Sequence, residues 1–283
     1  MKYLFTLFMF SMAMPMMLAQ QTTNCCAVSG VKSATASFAA FGEENNFVMA
    51  HDNPLPYEYQ GDGDKISFKT DDGGKSIAWL FNSAVATNNY IFVIHEWWGL
   101  NDHIKREAAR LRDELGNVHV IALDLYDGKV ATEREDAAKY MQAATKERCE
   151  SIIKGAIGFA GKKARIGTIG WCFGGGWSNQ ASILLGKKGK ACVIYYGMPE
   201  SDPARLKMMK APVLGIFAEK DGWITPEVAK TFETSLKNLK KEVTVQIYDA
   251  DHAFANPSSP KFDNEAAKAA WEKTIAFFKQ ELK

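Results

Sequence analysis

Short apolar runs rich in β-branched residues recur along the chain at residues 90–95, 118–123, 165–170, 191–196, 213–218 and 243–248. Rich in β-branched and apolar residues, they read as the buried strands of a parallel sheet. Amphipathic stretches lie between them. Ile104, Ala108, Leu111 and Leu115 share one helical face, and Ala137, Met141 and Ala144 begin another. Thr225 and Pro226 form an N-cap and first-turn pair for a helix running to about residue 239, and a closing helix spans about residues 264–282. Alternation of this kind builds a mostly parallel central sheet with helices on both faces, an α/β architecture. Ahead of it, residues 66–70 and 76–81, joined through Asp72-Gly73-Gly74, read as a hairpin. No repeat or linker interrupts the pattern, which gives one domain over residues 64–283.

The chain has 283 residues, 47% hydrophobic and 24% charged, which excludes a disordered or collagen-like polymer. Lys plus Arg number 34 and Asp plus Glu 33, so a net charge of +1 leaves no electrostatic footprint for nucleic acid. The lysine clusters at Lys187, Lys188, Lys190 and at Lys237, Lys240, Lys241 read as solvated faces. Residues 1–19, MKYLFTLFMFSMAMPMMLA, carry Lys2, then an apolar run broken by Thr6, Ser11 and Pro15, and end on a small residue. That is the pattern of a secretory signal peptide cleaved after Ala19, and it predicts an exported protein, periplasmic or secreted. A spanning helix would need about 20 apolar residues, and Gln20, Gln21, Thr22 and Thr23 follow at once. Asn24 stands where lipidation of Cys25 would need a small residue. Residues 20–63 read as an irregular arm lying on the domain.

Five cysteines are too few for a disulfide scaffold in a chain of this length, and their odd number leaves at least one thiol free or joined to another molecule. The sharpest local signal contains one of them. Gly170-Trp171-Cys172-Phe173-Gly174, with Gly175 and Gly176 after it, stands between a strand and the helical stretch 177–185. This is the nucleophile-elbow pattern G-x-S-x-G with cysteine in place of serine. A strand turning directly into a helix strains the central residue, and flanking glycines remove Cβ atoms that would clash there. The helix N-terminus aims free N–H groups at the sulfur and favours a thiolate. Read blandly, Cys172 is a buried structural cysteine beside a glycine turn.

A thiol nucleophile needs a base and an orienting acid, which in an elbow architecture follow it in the order acid, then histidine. His252 is the sole histidine downstream and sits just past the last strand. Asp221 is the leading acid, with Glu219, Asp249 and Asp251 as competitors. Upstream, His95-Glu96-Trp97-Trp98-Gly99 ends the first buried strand. It superficially matches the zinc motif H-E-x-x-H, but Gly99 fills the fifth position and the segment is not helical, so no metal is implied. An elbow hydrolase takes one oxyanion N–H from the residue after the nucleophile, here Phe173, and one from this loop, here Trp97. Glu96 is a candidate acceptor for the thiol proton or a surface ion-pair partner. His119 reads as strand packing, His103 as the start of a helix, His51 as part of the arm, and His95 as shaping the pocket. Trp97, Trp98, Tyr126 and Trp171 form either an aromatic substrate wall or core.

Glu96, the Cys172 elbow, Asp221 and the block His252-Ala253-Phe254-Ala255-Asn256, with Ala266, Ala267 and Trp271 beyond it, occur in that order over about residues 64–282. In this the chain resembles the dienelactone hydrolase (carboxymethylenebutenolidase-like) family of α/β-hydrolases. The resemblance implies an α/β-hydrolase fold and a triad in which Cys172 attacks an ester or lactone carbonyl, His252 transfers the proton and Asp221 orients the imidazole. It also implies that Glu96 holds the resting thiol and takes its proton when substrate binds, keeping Cys172 less open to oxidation. Family members that act on dienelactone hold its carboxylate with two arginines. Here Asp124-Leu125-Tyr126 is followed by Asp127-Gly128-Lys129, and Asn256 stands four residues after His252, so both arginines are absent. Lys129 replaces one anion contact as a point charge without the arginine fork. Dienelactone is therefore a poor fit, whereas the hydrolase chemistry is untouched.

The leading reading is an exported cysteine hydrolase of small esters or lactones, with no cofactor, no nucleic-acid partner and no stable membrane association after signal removal. A secreted binding protein that keeps the fold without turnover is the second, since fold alone does not give function. Thiol redox chemistry at Cys25-Cys26 lacks the C-x-x-C spacing and a helix N-terminus to lower a pKa. The sequence carries no signal for oligomeric state or for pairing of Cys25 and Cys26 with Cys149 or Cys192.

Overall fold

The structure, a computed structural model, describes Met1 and residues 33–283; the expected signal segment, Cys25 and Cys26 lie outside the described residues. Strands β1 (Asp64–Lys69), β2 (Lys75–Phe81), β3 (Asn89–Ile94), β4 (His119–Leu123), β5 (Arg165–Trp171), β6 (Gly189–Tyr195), β7 (Val213–Ala218) and β8 (Val243–Tyr248) form one sheet in the order β1-β2-β4-β3-β5-β6-β7-β8. β1 pairs with β2, and β2 with β4, antiparallel; every later pairing is parallel. The expected hairpin and all six central runs are therefore strands of an α/β-hydrolase sheet.

This order sets β3 beside β5, with Ile94 opposite Gly170. Successive crossovers leave in opposite directions from that pair, and the crevice outside the carboxyl ends of such strands is where open α/β sheets place ligands. The loop after β3 and the elbow after β5 thus emerge side by side. Ile91 through Ile94 are fully buried, consistent with a strand covered on both faces.

Helices α3 (Asp102–Leu115), α4 (Arg134–Ala143), α5 (Lys146–Ala160), α6 (Phe173–Leu185), α7 (Pro203–Met208), α8 (Pro226–Asn238) and α9 (Asn264–Glu281) cover the sheet. α3 begins at Asn101, whose side chain accepts from the Ile104 N–H, and stops at Gly116 with φ of 74°. Thr225 caps α8 by position only, since its hydroxyl makes no capping bond. α6 is the central helix and is buried along almost its whole length. Its glycines permit this: a Cβ on Gly175 would lie 2.6 Å from the Tyr195 carbonyl of β6.

The arm corrects the reading of an irregular segment. Residues 33–63 contain α1 (Ala34–Ala40), a 3-10 turn (Phe41–Glu43) and α2 (Asn45–Met49), packed on α6 and α4. Phe47 meets Phe38 edge-on at 5.8 Å and stacks on Phe41 at 5.4 Å. Among the described residues no helix is long and apolar enough to cross a membrane.

Candidate active site

β5 runs into α6 through Cys172, whose φ of 55° and ψ of −118° place a non-glycine residue in strained backbone. The neighbours hold it there. The Cys172 N–H donates to the Tyr195 carbonyl at 3.0 Å, and the Cys172 carbonyl accepts from Gly175 at 3.0 Å. A Cβ on Gly170 would sit 2.1 Å from the Gly174 carbonyl, and one on Gly174 would sit 2.3 Å from the Ile94 carbonyl, so both flanking glycines are required. Phe173 opens α6, where an N–H has no intrahelical acceptor, and its N–H stabilises charge on the Cys172 sulfur. Burial nevertheless pushes the thiol above its ordinary range, against the pull of His252.

His252 and Asp221 come from loops after β8 and β7. The Nδ1–H of His252 donates to Asp221 Oδ2 at 2.5 Å, while Asp221 Oδ1 accepts from the Trp223 and Ile224 N–H groups at 2.9 Å each. Burial alone would raise the Asp221 carboxyl; the His252 charge and these hydrogen bonds outweigh it and hold it below the usual carboxylate range. Burial opposes an imidazolium at His252, yet the Asp221 and Cys172 charges outweigh it and raise that group well above the ordinary histidine range. The other nitrogen, Nε2, is buried without a hydrogen-bond partner. Glu219, Asp249 and Asp251 make no hydrogen bond to His252; Asp249 instead pairs with Lys220 at 2.8 Å.

Glu96 is buried beside this group. Its Oε2 accepts from Asn256 Nδ2 at 2.6 Å and its Oε1 has no partner. Burial raises its carboxyl to about 7, opposed by the His252 charge and the Asn256 bond, and a Glu96 charge opposes one on Cys172. A surface ion-pair role is thereby removed. Trp97 and Trp98 are buried and line the same cleft as Cys172, Glu96, His252 and Asn256. His95 is fully engaged, its Nδ1–H donating to the Glu96 carbonyl at 2.6 Å and its Nε2 accepting from Leu125 at 3.1 Å.

Three expected substrate contacts lie elsewhere. Tyr126 packs behind the cleft on His95 and Phe173, at 4.6 and 5.2 Å between ring centroids. Trp171 lines an adjoining pocket, which it shares with Glu96 and Asn256. Lys129 is exposed, its ammonium 5.5 Å from the Tyr140 ring. Its loop is folded outward because Asp124 accepts from the Tyr126 and Gly128 N–H groups and Asp127 is clamped by Arg148. The lysine that does line the cleft is Lys261, which donates to the Ala50 carbonyl at 2.8 Å.

Sequence reasoning missed two further residues. Tyr196, with φ of 34°, lies against the His252 ring at 5.0 Å and its hydroxyl is buried without a partner. His51, assigned only to the arm, enters the cleft with its ring 5.2 Å from that of His252. One donor atom each from His51, Cys172 and His252 lies within 4.8 Å of the other two. Cys149 and Cys192 are buried thiols far less suited to chemistry, pushed up by burial, Cys192 to about 11.

Residues 78–282 match the profile of the dienelactone hydrolase family. Protein usf of Aquifex pyrophilus is 32% identical over 206 residues, covering 68% of this chain and 88% of that protein. The carboxymethylenebutenolidase of a Pseudomonas species is 25% identical, covering 76% of this chain and 94% of that protein. A dienelactone hydrolase-like promiscuous phosphotriesterase from metagenomic libraries has the same fold, with a TM-score of 0.68 at 20% identity over 78% of this chain and 99% of that one. The chain therefore belongs to the dienelactone hydrolase family, α/β-hydrolases that act on ester or lactone bonds.

Proposed function

We propose that this chain is an exported hydrolase of small esters or lactones working through Cys172, His252 and Asp221, with Glu96 gating the thiol. One observation carries the reading: His252, fixed through Nδ1 by Asp221, keeps a buried and unpartnered Nε2 close to the elbow cysteine. Because Asp221 favours a protonated His252, the thiol proton passes to the Glu96 carboxylate, leaving thiolate and imidazolium. The thiolate attacks the carbonyl carbon, and the N–H groups of Phe173 and Trp97 hold the oxyanion. Collapse breaks the ester C–O bond, and the alkoxide takes the Nε2 proton of His252. Neutral His252 then removes a proton from water, and the hydroxide splits the thioester. The departing thiolate recovers its proton from Glu96, and the net change is ester plus water to acid plus alcohol.

Asn256 supports Glu96 with a neutral amide, and Lys261 is, among the described residues, the one lysine or arginine lining the cleft, which fits neutral or singly charged esters better than strongly anionic ones. The purified chain should hydrolyse simple aryl esters, and Cys172→Ala should lower kcat/KM by at least about a thousandfold. Equal rates in the two proteins would mean a binding protein on a hydrolase fold. Export rests on residues 1–19, and N-terminal sequencing of protein recovered outside the cytoplasm should begin at Gln20.

A further inference from the structure

His51 has no part in the hydrolytic cycle above, yet it is buried at the reacting centre and built in the same way as His252. Its Nδ1–H donates to the Phe47 carbonyl at 2.7 Å, as that of His252 donates to Asp221 at 2.5 Å. In each ring the remaining nitrogen, Nε2, is buried without a partner, and both residues are more than nine-tenths buried. Two imidazoles oriented through Nδ1 by oxygen acceptors, with Nε2 free, have the arrangement that metal-ligating histidines show almost without exception. The third donor is the sulfur of Cys172, and the three donor atoms lie within 4.8 Å of one another.

We propose that His51, Cys172 and His252 form a binding site for a thiophilic divalent cation, Zn2+ being the best match. A tetrahedral zinc with one sulfur at about 2.3 Å and two nitrogens at about 2.0–2.1 Å needs its donors roughly 3.3–3.7 Å apart. Donors spaced at up to 4.8 Å must close by as much as about 1.1–1.5 Å to complete the set. A thiolate with two imidazoles selects zinc over magnesium or calcium, whose preference is for oxygen. Three protein donors leave the fourth position for water.

Binding forms one S–metal and two N–metal bonds with no change of oxidation state. It releases the thiol proton of Cys172, and the Nε2 proton of His252 when that ring is charged. The site itself needs only the placement of three side chains. That its occupation silences ester hydrolysis rests on the functional reading above.

Co2+ is the probe, because a cysteine thiolate bound to it gives a charge-transfer band in the near ultraviolet. Titrating the whole chain should produce that band with saturation at one ion per chain, and added Zn2+ should bleach it. Cys172→Ala should abolish the band, and both His51→Ala and His51→Gln should weaken Co2+ binding at least about tenfold while circular dichroism shows the fold intact. Zn2+ should also inhibit aryl-ester hydrolysis, with recovery on adding a chelator. A saturable band in a protein without esterase activity would keep the cation site and remove only the catalytic role of the thiol. No band in the unaltered chain, a band surviving in Cys172→Ala, or unchanged affinity in both His51 variants would overturn the proposal.

Discussion

In Glu96→Gln an amide replaces a carboxyl that burial has raised from 4.5 to about 7. At about 1.4 kcal/mol per pH unit, ionising that carboxyl in the folded protein costs roughly 3 kcal/mol more than in the unfolded chain. The sign follows from the raised value: Glu96 favours the fold fully below about 4.5, and that contribution drains away as pH rises through about 7. The glutamine is near neutral at low pH, because its oxygen keeps the Asn256 bond and its amide group fills the place of the unpartnered Oε1. Urea unfolding of both proteins at about pH 4.5 and about pH 8.5 reads the effect as a difference of differences, so groups that do not interact with Glu96 cancel. The variant should gain roughly 3 kcal/mol relative to the unaltered protein across that interval, while kcat/KM falls by about a hundredfold or more for want of a thiol proton acceptor. A relative change under about 1 kcal/mol would refute the raised ionisation of Glu96.

Asp221→Asn should keep the Trp223 and Ile224 bonds, and hence the loop, yet lower kcat/KM on the order of 10³–10⁴-fold in a steady-state ester assay, because the amide no longer holds the imidazolium. Gly174→Ala drives a methyl to 2.3 Å from the Ile94 carbonyl and 2.4 Å from that of His95; the backbone must yield, and urea melts should show a loss of roughly 1–3 kcal/mol. Lys261→Ala should raise KM for a carboxylate-bearing aryl ester roughly two- to fivefold and leave a neutral ester of the same size unchanged. Equal losses on both would assign Lys261 to tethering Ala50 alone.

Strands β3 to β7 were legible because burial on both sheet faces demands largely apolar runs, and the elbow because strained backbone demands glycine at fixed offsets. Glu96, Cys172, Asp221 and His252 were legible because each stands at a strand's carboxyl end. What escaped has local reasons too. α5 contains Gly155, whose absent Cβ would lie 2.6 Å from the Lys69 carbonyl of β1; the close approach that needs glycine also weakens the helical signal. α1 and α2, of 7 and 5 residues, are too short for a helical period to emerge, and tertiary packing supplies their stability. Lys129 misled because distance along the chain says nothing about an outward-turning loop. His51 is silent in sequence, its role arising only where residues about 200 positions apart meet.

That meeting bears on how the protein comes to life. Lys261 reaches back 211 positions to Ala50, and Asn89 holds the Leu282 carbonyl across 193, so the cleft closes only when early and late segments of the chain are both in place. Long-range closures of this kind come late in folding. Cys172 precedes His252 by 80 residues, and until the loop after β8 docks it lacks the imidazole that Asp221 orients. Reactivity is thus switched on by completion of the fold. Turnover reports on the seam between the arm and the loop after β8, and gentle denaturant should extinguish it before the central sheet melts.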